Sequence, residues 1–237
     1  MDTIILDHLA IGYKGRTLMS NLSLTLHEGC LACLVGTNGV GKSTLLRTLA
    51  GFLPKQGGTI RLMGRAVESA SPQQLATIVS VVLTDRPHGH AITVSEMVAM
   101  GRSPYTGFWG RLSKQDRAVV DEAMQMVGIT PLAQRMVSTL SDGERQKVMV
   151  AKALAQQTPI ILLDEPTAFL DHPSKVSMMQ LLHRLAADMG KTIIMSTHDL
   201  ELAAQNADVF LQMEENALKI IQNSQLLLQT ASHNQEI

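Results

Sequence analysis

The 237-residue chain is long enough to bury a full core, either as one elaborated domain or as two small ones. Its 20 Lys and Arg stand against 21 Asp and Glu, for a formal net charge of -1, and that balance argues against a dedicated nucleic-acid binder. Cys30 and Cys33 are its two cysteines, so the redox and zinc readings of a CxxC lack a second pair, and two small buried side chains in a reducing compartment are expected instead.

In chain order, the start "MDTIILDHLA" has acids where a secretory signal would carry Lys or Arg. No later stretch approaches the roughly 18 uninterrupted apolar residues of a spanning helix, so a soluble chain is expected. Up to about Leu83 the pattern is of short β-type runs split by Gly and Asn: "TIILDHLAIGY", "TLMSNLSLTLH", "CLACLV", "GTIRLMG" and "IVSVVL". One helix, Lys42 to Ala50, interrupts them and is stopped by Gly51 and Pro54. From about Asp85 to Gln156 apolar residues recur at three and four spacing in "TVSEMVAM", "SKQDRAVVDEAMQMV" and "DGERQKVMVAKALAQ", with Thr93 and Ser113 as N-caps. Beyond Thr158, strands alternate with helices: "IILLD", a helix near Ser174–Met189, "TIIMS", a helix near Leu200–Gln205, then "DVFLQM" and "LKIIQ". The 14 methionines lie mainly on the helices and read as flexible core filler. The sum is an alternating α/β core with a helical insertion.

Three segments carry chemistry. "LVGTNGVGKST" fits G-x-x-x-x-G-K-[ST] between a buried strand and a helix, which makes Gly36, Thr37, Asn38, Gly39, Val40, Gly41, Lys42, Ser43 and Thr44 candidates for holding phosphate. Glycines there let backbone N–H groups turn inward as an anion nest, and the following helix adds its positive end. Lys42 would bridge the β- and γ-phosphates, and Ser43 would ligate Mg²⁺. "IILLDEP" ends an apolar strand in Asp164, a candidate metal ligand, and Glu165, a candidate proton acceptor for an attacking water. "IIMSTHDL" places His198 after another apolar strand, within reach of a γ-phosphate as a hydrogen-bond donor.

With "LSDGERQKVMVAKALAQ" ahead of the acidic strand, the whole chain resembles an ATP-binding cassette ATPase. The resemblance implies a P-loop NTPase (RecA-like) core with an N-terminal antiparallel β subdomain and an inserted helical subdomain. The core would span 1–84 and 157–237, and the insertion 85–156. It also implies ATP and Mg²⁺ as ligands, and a homodimer in which Ser141, Gly143 and Glu144 of each copy cap ATP held by the other. Tyr13 resembles the adenine-stacking aromatic, Glu165 the catalytic carboxylate, His198 the switch histidine, and Asp171 the loop that communicates across the dimer.

Two departures stand out. Where the family has a glutamine after "IVSVVL", this chain has Thr84 and Asp85, and Asp85 is a candidate metal contact. In the signature, Asp142 and Glu144 replace a glycine and a glutamine, and an ionised Glu144 accepts hydrogen bonds but cannot donate them. These departures alone favour a regulatory or non-transport ATPase with weakened catalysis. The stretch "ITVSEMVAMGRSPYTGFWGRLSKQD" resembles cassettes that energise import of ferric siderophores, haem and cobalamin, with Gly101–Tyr105 near the groove for a membrane-subunit helix. The partners so implied are two integral membrane permease subunits and, indirectly, a periplasmic or lipoprotein substrate-binding protein, with the cassettes peripheral on the cytoplasmic membrane face. A cassette that remodels DNA or ribosomes would need two cassettes in one chain or a long coiled-coil insertion, and neither is visible.

Overall fold

The computed structural model describes residues 1–13, 15–83, 92–107, 109–214 and 217–221. Among the described residues, ten strands are β1 (Asp2–Tyr13), β2 (Arg16–His27), β3 (Leu31–Val35), β4 (Gly57–Leu62), β5 (Arg65–Ala66), β6 (Val79–Val82), β7 (Ile160–Asp164), β8 (Thr192–Ser196), β9 (Val209–Glu214) and β10 (Ala217–Ile221). The α-helices among them are α1 (Lys42–Leu49), α2 (Pro72–Leu75), α3 (Val94–Ala99), α4 (Lys114–Met126), α5 (Asp142–Ala155), α6 (His172–Ala187) and α7 (Leu200–Asn206). None of the described helices is long and apolar enough to cross a membrane.

The strands sort into two sheets because their side-chain patterns differ. β1 and β2 alternate apolar and polar residues, as strands with one wet face do, and with β4 and β5 they form an antiparallel sheet in the order β2-β1-β4-β5. The alternation slips between Leu6 and Leu9, where His8 and Asn21 both adopt positive φ and their side chains meet at 2.5 Å; the resulting bulge keeps Ile4, Leu6, Leu9 and Ile11 all buried. β3, β7 and β8 are buried at every position, the signature of parallel strands covered on both faces. They lie in a six-stranded sheet of order β10-β9-β3-β8-β7-β6, parallel except for the β10–β9 edge pair.

Successive residues of each parallel strand feed opposite cores. Ala32, Leu34, Leu162 and Ile194 pack with α1 and the antiparallel sheet, while Cys33, Val35, Leu163 and Met195 pack with α3 to α7. Of the paired cysteines, Cys33 is buried as expected and Cys30 only half-buried. Core filler is what many methionines are: Met19, Met97, Met124, Met178, Met179, Met195 and Met213 are buried.

Helix starts follow local chemistry. Thr93 and Ser113 close capping boxes with Glu96 and Asp116. α6 begins two residues before the expected Ser174 because the Asp171 carboxylate caps it and Pro173 suits its first turn. Within the helical segment a buried polar hub adds to the apolar packing. Arg102, 6% exposed, donates to Asp116 Oδ1 at 2.9 Å, to Ala155 O at 2.8 Å and to the Gln157 side chain at 3.0 Å, and its guanidinium lies 4.1 Å from the Tyr105 ring centre.

Hydrogen bonds from Ser113 and Arg102 hold the Asp116 carboxyl down to about 2, from an ordinary 3.8. A carboxyl depressed in the folded state contributes stability above its unfolded pKa and loses it as pH falls towards the folded one. Asp116→Asn is therefore expected to lower the midpoint of thermal unfolding at pH 7, and the gap to wild type should hold down to about pH 4 and narrow as pH drops towards 2; a gap independent of pH over that range would remove the ion pair from the account.

Candidate active site

The parallel order of β3, β8 and β7 brings three strand ends to one edge, and the chemistry-bearing residues leave from those ends. After Val35 the chain turns through Gly36, whose φ is 151°; a Cβ there would sit 2.5 Å from Met213 O, so this position accepts no side chain. Gly41, at φ 119°, starts α1 without any side-chain cap. Unlike α3 to α7, α1 therefore presents first-turn N–H groups that no capping side chain answers. That is the condition for an anion receptor.

Lys42 sits in the first turn of α1, 7% exposed, and folds back so that Nζ donates to Gly36 O at 2.7 Å and Thr37 O at 3.1 Å. Burial pushes its ammonium pKa down, against the opposing charges of Glu165 and Asp164. Ser43 is exposed, and Thr44 is buried with its hydroxyl 3.3 Å from the Tyr13 hydroxyl. A cavity of about 390 Å³ opens over this loop, lined by Asn38, Gly39, Lys42, Ser43 and Thr44, with Tyr13 on one side and Glu165 on the other. Its size lies within the range of small-molecule sites.

Asp164, 3% exposed, ends β7 opposite Ser196 of β8. The Ser196 hydroxyl donates to Asp164 Oδ1 at 2.6 Å and accepts from the Glu165 N–H at 2.9 Å, so one side chain orients both acids. Glu165 takes φ 51°, a left-handed conformation disfavoured for a residue with a Cβ, and this turns its carboxylate off the strand axis. There Glu165 Oε1 lies 2.6 Å from His198 Nε2. A lysine and an acceptor carboxylate thus line one cavity, and a histidine hydrogen-bonds that carboxylate.

Ser141 caps α5: its hydroxyl accepts from the Glu144 N–H at 3.2 Å, and Glu144 Oε2 accepts from the Ser141 N–H at 2.9 Å and hydroxyl at 3.0 Å. Those bonds, led by the Ser141 N–H, lower the Glu144 pKa. One carboxylate oxygen is thus committed to its own helix, while Oε1 lies 3.6 Å from Arg135 Nη1. Gly143 is small for a reason: a Cβ there would lie 3.1 Å from Phe169 O, so the first turn of α5 rests on the loop that follows Glu165. Ser141, Gly143 and Glu144 do not line the cavity of their own chain. The Asp171 carboxylate likewise serves its own chain, accepting from the Ser174 N–H at 3.1 Å. Thr84 and Asp85 lie outside the described residues.

The donors near the loop, the Ser43 hydroxyl and the Asp164 carboxylate, are the hard oxygens a Mg²⁺ ion takes. No cluster of three or more His, Cys, Asp or Glu among the described residues forms a closed metal cage, so these donors suit an ion completed by phosphate and water. The sequence reading missed Ser196 and Arg16, which also lines the cavity. Ser196 was detectable in principle, as the polar end of "TIIMS" on the strand beside "IILLD"; Arg16 carried no signal. Replacing Ser196 by alanine should destabilise the fold by about 1–3 kcal/mol by leaving Asp164 and the Glu165 N–H short of a partner, read from urea unfolding; an unchanged midpoint would mean water substitutes for the hydroxyl.

Residues 19–168 match the family model described as ABC transporter. The chain is 40% identical over 210 residues, 88% of its length and 77% of the relative's, to an achromobactin transport ATP-binding protein of Dickeya dadantii strain 3937. It is 34% identical over 218 residues, 92% and 81% of the two lengths, to an iron(3+)-hydroxamate import ATP-binding protein of Bacillus subtilis strain 168. Among solved structures it is similar to a dimeric bacterial ABC transporter cassette, with a TM-score of 0.81 and 26% identity over 91% of this chain and 96% of that one. A glycine loop with a buried lysine, an acidic strand end and a capped signature helix, in one chain matched along most of its length, belong together: this protein is a member of the ABC transporter family, as its ATP-hydrolysing component.

Proposed function

We propose that this chain powers an importer for an iron(III)-siderophore, haem or cobalamin-type substrate through two integral membrane permease subunits, with a separate substrate-binding protein delivering the cargo. Support for the cargo class comes from the achromobactin and iron(3+)-hydroxamate relatives. The observation that carries the catalytic reading is that Lys42 and Glu165 line one cavity, with His198 behind Glu165 at 2.6 Å.

In this reading the Gly36–Thr44 loop and the start of α1 receive the β- and γ-phosphates of ATP, and Lys42 exchanges its carbonyl partners for phosphate oxygens. Ser43 and Asp164 would hold Mg²⁺, which would supply neutralising charge for the phosphates. Glu165 accepts the proton of the attacking water, and His198 orients Glu165 and donates to the γ-phosphate. Tyr13 offers its ring to adenine. Two copies pair head to tail, so that Ser141, Gly143 and Glu144 of a second copy close over the phosphates.

A second cavity, an apolar groove of about 840 Å³, separates Phe52, Leu53 and Leu75 on one wall from Met100, Pro104 and Gln156 on the other. It suits a short helix of the membrane subunit, which would place the cassettes on the cytoplasmic membrane face. Closure of the dimer on ATP and reopening after hydrolysis would move that helix.

Glu165→Gln should cut phosphate release by at least about 100-fold while ATP-dependent dimers accumulate in light scattering. An unchanged rate would take the proton-acceptor role from Glu165. In vesicles holding the membrane subunits, the wild-type protein should take up a ferric siderophore, haem or cobalamin only when ATP is present on the cassette side; uptake of none of the three would overturn the cargo class.

A further inference from the structure

The apolar groove contains one charge that its own walls leave unanswered. Lys152, on the last turns of α5, lines the groove and is only half-exposed. Among the described residues no carboxylate lies within 4.0 Å of its ammonium and no acceptor hydrogen-bonds it. The groove's other lining lysine is matched within its walls, Lys55 Nζ lying 2.5 Å from Glu68 Oε1. Burial lowers the Lys152 pKa, with no counter-charge opposing it. Lys191 is the useful contrast: its ammonium is also pushed down by burial, but it donates to Thr158 O at 2.9 Å. A desolvated cation without a partner is costly in an isolated chain and becomes an asset when a ligand brings the counter-charge.

The wall that carries Lys152 is fixed in place. Gly101 approaches so closely that a Cβ would lie 2.3 Å from Lys152 O, and the Tyr105 hydroxyl donates to Gln156 O at 2.9 Å. The Gln156 amide in turn donates to Ala76 O at 2.7 Å and Val79 O at 3.1 Å, and Arg102 ties Ala155 to Asp116. A cation on so rigid a support loses little entropy on pairing.

We propose that Lys152 is the selectivity determinant of this groove, pairing with an Asp or Glu on the membrane-subunit helix that occupies it. The inference rests on the groove being that docking site. A membrane helix carrying a neutral or basic residue at the facing position is thereby excluded, which would let several importers in one cell keep their cassettes apart.

The test uses the intact complex extracted with its native membrane subunits and treated with a water-soluble carbodiimide, which joins an amine to a carboxylate in direct contact. Peptide mapping should find an amide between Lys152 Nζ and an Asp or Glu of a membrane subunit. K152R should keep the complex but lose the cross-link, and K152M should weaken association at least about tenfold, K152E more. A Lys152 cross-linked only within this chain, or acylated by an amine reagent as fast in the complex as when free, would overturn the pairing. If K152E fails to fold, the wild-type cross-link and K152R still decide. Alkylation of Phe52→Cys reports the docking separately, since the native thiols, pushed up by burial to about 11 for Cys30 and about 12 for Cys33, react slowly. Protection of that cysteine in the complex without a Lys152 cross-link rejects the pairing and keeps the docking; no protection rejects the docking itself.

Discussion

A buried ammonium at the mouth of a parallel sheet is the constraint around which this molecule is arranged. Lys42 rests on two carbonyls of its own loop, with the charges of Glu165 and Asp164 behind it. Holding it there requires a loop without side chains at Gly36 and Gly41, because Met213 and Leu18 already fill the space. It also requires that two fully buried strands end in polar side chains at one edge, so β7 and β8 must be in register at Asp164 and Ser196. The antiparallel sheet contributes the rest: its apolar face covers α1 and keeps the loop's far side dry.

The helical segment obeys a different logic. Four of its contacts that matter are polar and specific, made by Arg102, Asp116, Tyr105 and Gln156, and they connect the groove wall to the far end of α5. At the near end of the same helix, Gly143 lets Ser141 stand on the loop that follows Glu165. A single helix of 14 residues therefore touches the groove at one end and the acid-bearing loop at the other. Such a strut suits a machine in which partner movement and bond cleavage must occur together.

Much of this was legible in the sequence where local chemistry decides. The run from Gly36 to Thr44 dictated its own conformation, α1 spans Lys42–Leu49 against an expected Lys42–Ala50, and the boxes at Thr93 and Ser113 formed as their spacing implies. Ser141 and Glu144 share that same spacing, and it specifies their mutual bonds just as directly. Arg102 and Asp116 were not legible, because an arginine and an acid 14 positions apart in a polar stretch give no sign that both will be buried. Ser196 falls between these cases, since its importance comes from the order of strands rather than from its own neighbours.

The bare start of α1 has a consequence for the lifetime of the protein in a cell. First-turn backbone donors there, left without a side-chain cap, find a natural complement in a bound polyphosphate. Copies that have captured nucleotide become harder to pry open, and copies that have not are the ones a housekeeping protease meets first. Recognition and survival are in this way served by the same few N–H groups, and scarcity of fuel would thin out the idle pool.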